Sequence, residues 1–152
     1  MSVAFRRESD EEHKEPRFEV PLPAGPNLVT PRGRALIDEK IAALQADLAA
    51  ADELGREDIA RWLRYWKTRR ATAILAPEPP EDEVAFGTRV RFRLNGTVKE
   101  IGIVGDDEAD PAAGQLAFSA PLVRAMMGAT TAEFVAFNGR ADAIEIIDIA
   151  PL

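Results

Sequence analysis

Four carboxylates, Asp52, Glu53, Glu57 and Asp58, flank a single glycine, Gly55, in the stretch DELGREDIARWLRYW. Clustered acids are the donor set of a hard divalent cation that keeps several of its waters. The same residues also suit a solvated turn, with Glu57 and Asp58 favouring the positive N-terminal end of a helix. Both readings stay open at this point. A second acidic group, Asp106, Asp107, Glu108 and Asp110, looks at first like a calcium loop. Pro111 takes the sixth position, where an EF-hand needs glycine, and this excludes that reading. Trp62, Tyr65 and Trp66 could offer bases a stacking platform, but core packing is the favoured role. Arg61, Arg64, Lys67, Arg69 and Arg70 make a basic helix face. It would follow RNA or an acidic channel wall, or else pair weakly with Asp38, Glu39 and Asp47. His13 stands alone and carries no metal role.

The bulk composition narrows the classes further. A net charge of −7 argues against free-standing duplex binding, which needs clustered cations facing phosphates. The absence of cysteine removes disulfides, thiolate zinc sites and cysteine nucleophiles together. No apolar run approaches the roughly 20 residues of a membrane helix, and Arg6 and Arg7 lead into acids rather than an apolar signal core. A cytoplasmic protein is expected.

The elements that position these residues fall into four parts. Residues 1–29 read as a flexible arm, acidic and proline-rich, with Phe5, Phe18, Val20 and Leu22 as docking points. Residues 30–76 read as an antiparallel helical hairpin, a short coiled coil. Thr30 caps it and Pro31 occupies its first helical position. Ile37, Ile41, Leu44, Leu48 and Ala51 form one seam. Ile59, Trp62, Trp66 and Ala73 form the other. The pairs Ile37/Ala73, Leu44/Trp66, Leu48/Trp62 and Ala51/Ile59 are symmetric about Gly55, which is therefore expected at the turn. Ile41 then faces Arg69, whose stem covers it while its head stays wet. Residues 77–83, rich in proline, read as a linker.

In residues 84–152 the period changes to two. VRFRL and TVKEIGIV flank Asn95-Gly96, the strongest short hairpin signal. QLAFS is a third strand. Ser119 stands near the N-cap of a short helix ended by Gly128. EFVAF and AIEIIDI flank Asn138-Gly139. The expected fold class is α+β, with a small antiparallel sheet carrying one short helix.

Several segments resemble the bacterial GreA/GreB transcription elongation factors. They are FGTRVRFRL, IVGDDEADPAAGQLAFSAPLVRAMMG, the VTPRG lead into the hairpin and the upstream AGPN. The resemblance spans about residues 25–152 and is most specific over 104–128. It implies an FKBP-like C-terminal domain that docks on RNA polymerase at the rim of the secondary channel. It also implies a hairpin inserted into that channel, with indirect contact to nascent RNA. Family tip acids help hold a second Mg²⁺ of the polymerase, in two-metal phosphodiester cleavage of backtracked transcripts. The resemblance implies no cofactor and no metal held by the chain in isolation. It makes the chain a monomer that is not itself an enzyme, donating at most carboxylates to the polymerase. On the C-terminal domain, Asp107, Glu108, Asp110, Ser119, Pro121, Leu122, Arg124 and Gly128 become polymerase-facing.

The tip departs from the family pattern. Family members usually carry Asp and Glu three apart just after the glycine, where this chain has Arg56 and Ile59. The hairpin is also shorter in both arms. An alternative expectation is therefore a regulator that binds polymerase without cleavage, similar to the short-hairpin Gre relatives labelled nucleoside diphosphate kinase regulators. A prolyl isomerase, suggested by FKBP-like topology alone, is disfavoured because no Trp or Tyr follows residue 66 to line a pocket.

Overall fold

A computed structural model of the chain describes residues 19–152. The expectations placed on Phe5, His13 and Phe18 lie outside the described residues. The chain forms two compact units. One consists of Ile37–Thr72 with residues 19–25, and the other of Pro26–Leu36 with Ala73–Leu152.

The first unit is built on two helices, α1 (Pro31–Ala50) and α2 (Glu53–Thr72). α1 begins where the sequence indicates. The Gly33 N–H donates to the Thr30 hydroxyl at 3.0 Å, and Pro31 needs no partner. The α1 seam is also as read, with Ile37 and Ile41 buried and Leu44, Leu48 and Ala51 half-buried.

The turn is not where the symmetry of the seams puts it. Only Ala51 and Asp52 separate the helices. Asp52 caps α2, its carboxylate accepting the Gly55 N–H at 3.0 Å. Gly55 is an ordinary helical residue without a positive φ. A charged cap two residues earlier satisfies the free N–H groups, so no left-handed glycine is needed.

The α2 seam is rotated accordingly. Leu63 is 7% exposed, whereas Trp62, expected to face Leu48, is 40% exposed. Adjacent helical positions differ by about 100° in direction, so the change from 62 to 63 moves the indole out of the inter-helix gap. Trp62, Tyr65 and Trp66 instead pack edge-to-face, with centroids 5.6 and 5.1 Å apart. Arg69, expected to keep its head in water, is only 4% exposed. Asp38 and Arg70 join α1 and α2 across 3.2 Å.

The second unit holds two sheets. Leu28–Val29 (β1) and Ile74–Leu75 (β2) flank the hairpin in sequence and pair in parallel. The main sheet comprises β3 (Thr88–Leu94), β4 (Thr97–Val104), β5 (Gln115–Ala117), β6 (Phe134–Phe137) and β7 (Arg140–Pro151), in the order β5-β4-β3-β7-β6. The alternation of β3 is as read, with Thr88, Val90 and Phe92 buried and the three intervening arginines exposed. Asn95-Gly96 and Asn138-Gly139 all have positive φ, the conformation of a type I′ turn.

The α+β class is observed, but the sheet is mixed rather than wholly antiparallel. β5 runs parallel to β4. The ten residues between them form a 3₁₀ turn, Pro111–Ala113, and a crossover, where a tight hairpin would have reversed the strand. A short helix, α3 (Pro121–Met126), plugs the inner face with Val123 and Met126, both fully buried. They meet Val90, Phe92, Ile103, Ile144 and Ile146 in one core.

Candidate functional site

The tip acids are spoken for by their own helix. Asp52 is the cap just described. Asp58 lies 3.4 Å from Arg61, and Glu57 lies 3.6 Å from Arg64. Glu53 sits exposed in the first turn of α2, where a negative charge favours the helix dipole. Among the described residues no three metal-ligating side chains come together in a group that could hold an ion. The most accessible side chain at the tip is apolar: Leu54 is 93% exposed. The basic residues of α2 divide. Arg64, Lys67 and Arg70 are exposed, Arg61 is half-buried and Arg69 is buried.

The loop after β4 is organised by its acids, but not toward solvent. The Glu108 side chain is 9% exposed and accepts a hydrogen bond from the Thr30 hydroxyl. Arg32 stands 3.9 Å away. Gly33 makes room for this carboxylate; a β-carbon there would lie 2.8 Å from it. Gly105 likewise lets the loop lie against the Leu28 carbonyl. Glu108, expected to face a partner, therefore holds the first turn of α1. Burial draws it inward, because a carboxylate removed from water needs donors and Thr30 supplies one.

The remaining loop residues vary in their availability. Ser119, expected near a helix cap, donates to Asp106 at 2.7 Å, while Ala120 takes the N-cap position without a side-chain bond. Asp110 pairs through its backbone with Gln115, and Asp107 is half-buried. Leu122 packs against the core. Pro121, Arg124, Met127 and Gly128 are exposed and define one outer patch on and just after α3. Gly128 ends the helix as read, with φ of 83°.

Two features were missed in the sequence. The Thr30–Glu108 contact joins residues 78 apart, and no spacing rule reports that. A shallow depression of about 400 Å³ is lined by Arg93, Phe134, Arg140 and Glu145 among others. Its cations are already engaged: Arg93 pairs with Glu145, and Arg140 donates to Asn95 at 3.1 Å.

Comparison with known families matches residues 79–151 to a family described as "Transcription elongation factor, GreA/GreB, C-term". Its C-terminal domain belongs to the GreA/GreB family. Transcription elongation factor GreA of Rhizobium etli (strain CIAT 652) is 33% identical over 87 residues, covering 55% of each chain. Transcription elongation factor GreA of Caulobacter vibrioides (strain NA1000 / CB15N) is 37% identical over 87 residues, again 55% of each. The match thus spans about half the length of these Gre relatives. Among solved structures, GreA factor homolog 1 (Gfh1) of Thermus thermophilus covers 83% of this chain and 99% of its own, with 12% identity and a TM-score of 0.39. The Gre domain contains the buried Glu108 and the outer patch on α3, whereas the hairpin tip lies outside the matched residues.

Proposed function

We propose that this chain is a Gre-type factor that binds RNA polymerase through its C-terminal domain and regulates elongation without stimulating transcript cleavage. The observation that carries the second half is the state of the tip. Asp52 is committed to a helix cap, and Glu57 and Asp58 face arginines of their own helix. A carboxylate that must first leave its cap or ion pair is a poor ligand for a shared Mg²⁺. The exposed patch of Pro121, Arg124 and Met127, with Asp107 and Asp110 of the loop, is the proposed polymerase-facing surface. The hairpin would occupy the secondary channel and compete there with other factors, presenting Leu54 at its end. In this reading the chain acts in the cytoplasm as a monomer, with no chemistry of its own and no cofactor.

Two assays test the reading. Immobilised full-length chain is expected to retain core RNA polymerase, and a failure to retain it removes the Gre assignment of function. On stalled, backtracked complexes no increase in 3′ cleavage is expected. Vigorous cleavage, abolished by Glu57→Ala with Asp58→Ala, would instead establish the cleaving reading, in which the tip acids contribute to a polymerase-held metal.

A further inference from the structure

We propose that the acidic segment preceding Glu19, residues 8–18, docks along the basic face of α2 and covers it within the same molecule. The observed anchor is Glu19. The Arg64 guanidinium donates to both of its carboxylate oxygens, from Nε at 3.1 and 3.3 Å and from Nη2 at 2.8 Å. This fork geometry is the stronger form of ion pair. The hydrogen bond to Glu19 raises the Arg64 pKa above its ordinary value.

The charges on either side of that anchor are complementary. α2 carries Arg56, Arg61, Arg64, Lys67, Arg69 and Arg70 against Glu53, Glu57 and Asp58, a basic helix in a chain of net charge −7. The segment before Glu19 carries Glu8, Asp10, Glu11, Glu12 and Glu15 against Lys14 and Arg17. Arg61 and Arg64 are three apart on α2, and so share a face. The half-exposed ring of Trp62 lies two residues before Arg64, and Phe18 directly precedes Glu19.

Length permits the contact. Extended chain covers about 3.3 Å per residue, so the stretch from Glu19 back to Glu8 reaches roughly 36 Å. A 20-residue helix is about 30 Å long. Single exposed ion pairs contribute little. Tethering by Glu19 gives the other acids an effective concentration on the order of millimolar, so several weak pairs act together. An acidic partner for this face, whether nucleic acid or protein, must therefore displace the chain's own segment. The inference does not depend on the polymerase reading.

The absence of cysteine allows a single spin label at Ser9→Cys in the full-length chain, read by amide relaxation. At low salt, amide intensity is expected to fall along α2 around Arg61 and Arg64. It should recover in Arg61→Glu with Arg64→Glu, and also, with no change of sequence, at about 1 M salt, where the screening length is about 3 Å. Intensity loss centred on any other surface, or no localised loss, overturns the proposal. So does loss that passes to isotope-labelled chains lacking the spin label in a mixed sample, because the occupant is then a second copy.

Discussion

Gly33 and Gly105 both leave space for a close approach, yet a methyl group would meet different obstacles at each. At Gly33 the obstacle is the tip of the Glu108 side chain, 2.8 Å away, which can swing aside at the expense of its bond to Thr30. At Gly105 it is the Leu28 carbonyl, part of a backbone paired in a sheet. Gly105→Ala should therefore destabilise by about 1–3 kcal/mol, as overpacking does. Gly33→Ala recovers up to about 1 kcal/mol of helix propensity and should lose less. Urea midpoints measured side by side rank the two, and a reversed order contradicts the contacts as seen. Thr30→Ala removes a cap worth about 1–2 kcal/mol and also strips a donor from a nearly buried carboxylate. A double-mutant cycle with Glu108→Gln should show coupling of at least about 0.5 kcal/mol. Strict additivity would mean that Glu108 does not hold the helix.

At the scale of elements, what the sequence disclosed depended on how local the determining interaction is. Thr30-Pro31, the alternation of β3 and both Asn-Gly turns are set within a few residues, and each was readable. The turn after Ala50 is also local, but two cues competed there. Glycine suggested a hinge, and aspartate suggested a cap; the cap prevailed because it satisfies a helix N–H directly. The parallel placement of β5 and the β1–β2 pair are set by partners far along the chain, so no local pattern reported them. Of the candidate site, the tip acids were found as a cluster, but their pairing with Arg61 and Arg64 needed the helix phase. Two substitutions separate the phases. Gly55→Ala should stabilise α2 by up to about 1 kcal/mol, since Gly55 is helical and its nearest obstacle, Asp52, is 3.5 Å from a new β-carbon. A hinge glycine would give the opposite sign. Leu63→Ala should cost about 2–5 kcal/mol, as a buried leucine does. Trp62→Ala should cost less, and equal losses would return the indole to the seam.

At the scale of the whole chain, the two units fix how polymerase binding has to be tested. Pro26–Leu36 groups with the sheet although the sequence places most of the hairpin between them. A fragment beginning at Glu83 would lack β1, β2 and Thr30, leaving Glu108 without its donor and Gly105 without the backbone that covers it. Loss of binding by such a fragment would confuse unfolding with a missing contact. A charge reversal in the intact chain avoids this. Arg124 is exposed on α3, while Val123 and Met126 beside it fill the core. Arg124→Glu should leave stability within about 0.5 kcal/mol, as surface changes do, and should weaken retention of core polymerase. The loss should grow as salt is lowered, because screening hides a repulsive contact at high salt. Retention equal to that of the unmodified chain at every salt concentration would move the polymerase contact away from α3, to the hairpin, even with the family assignment of residues 79–151 intact.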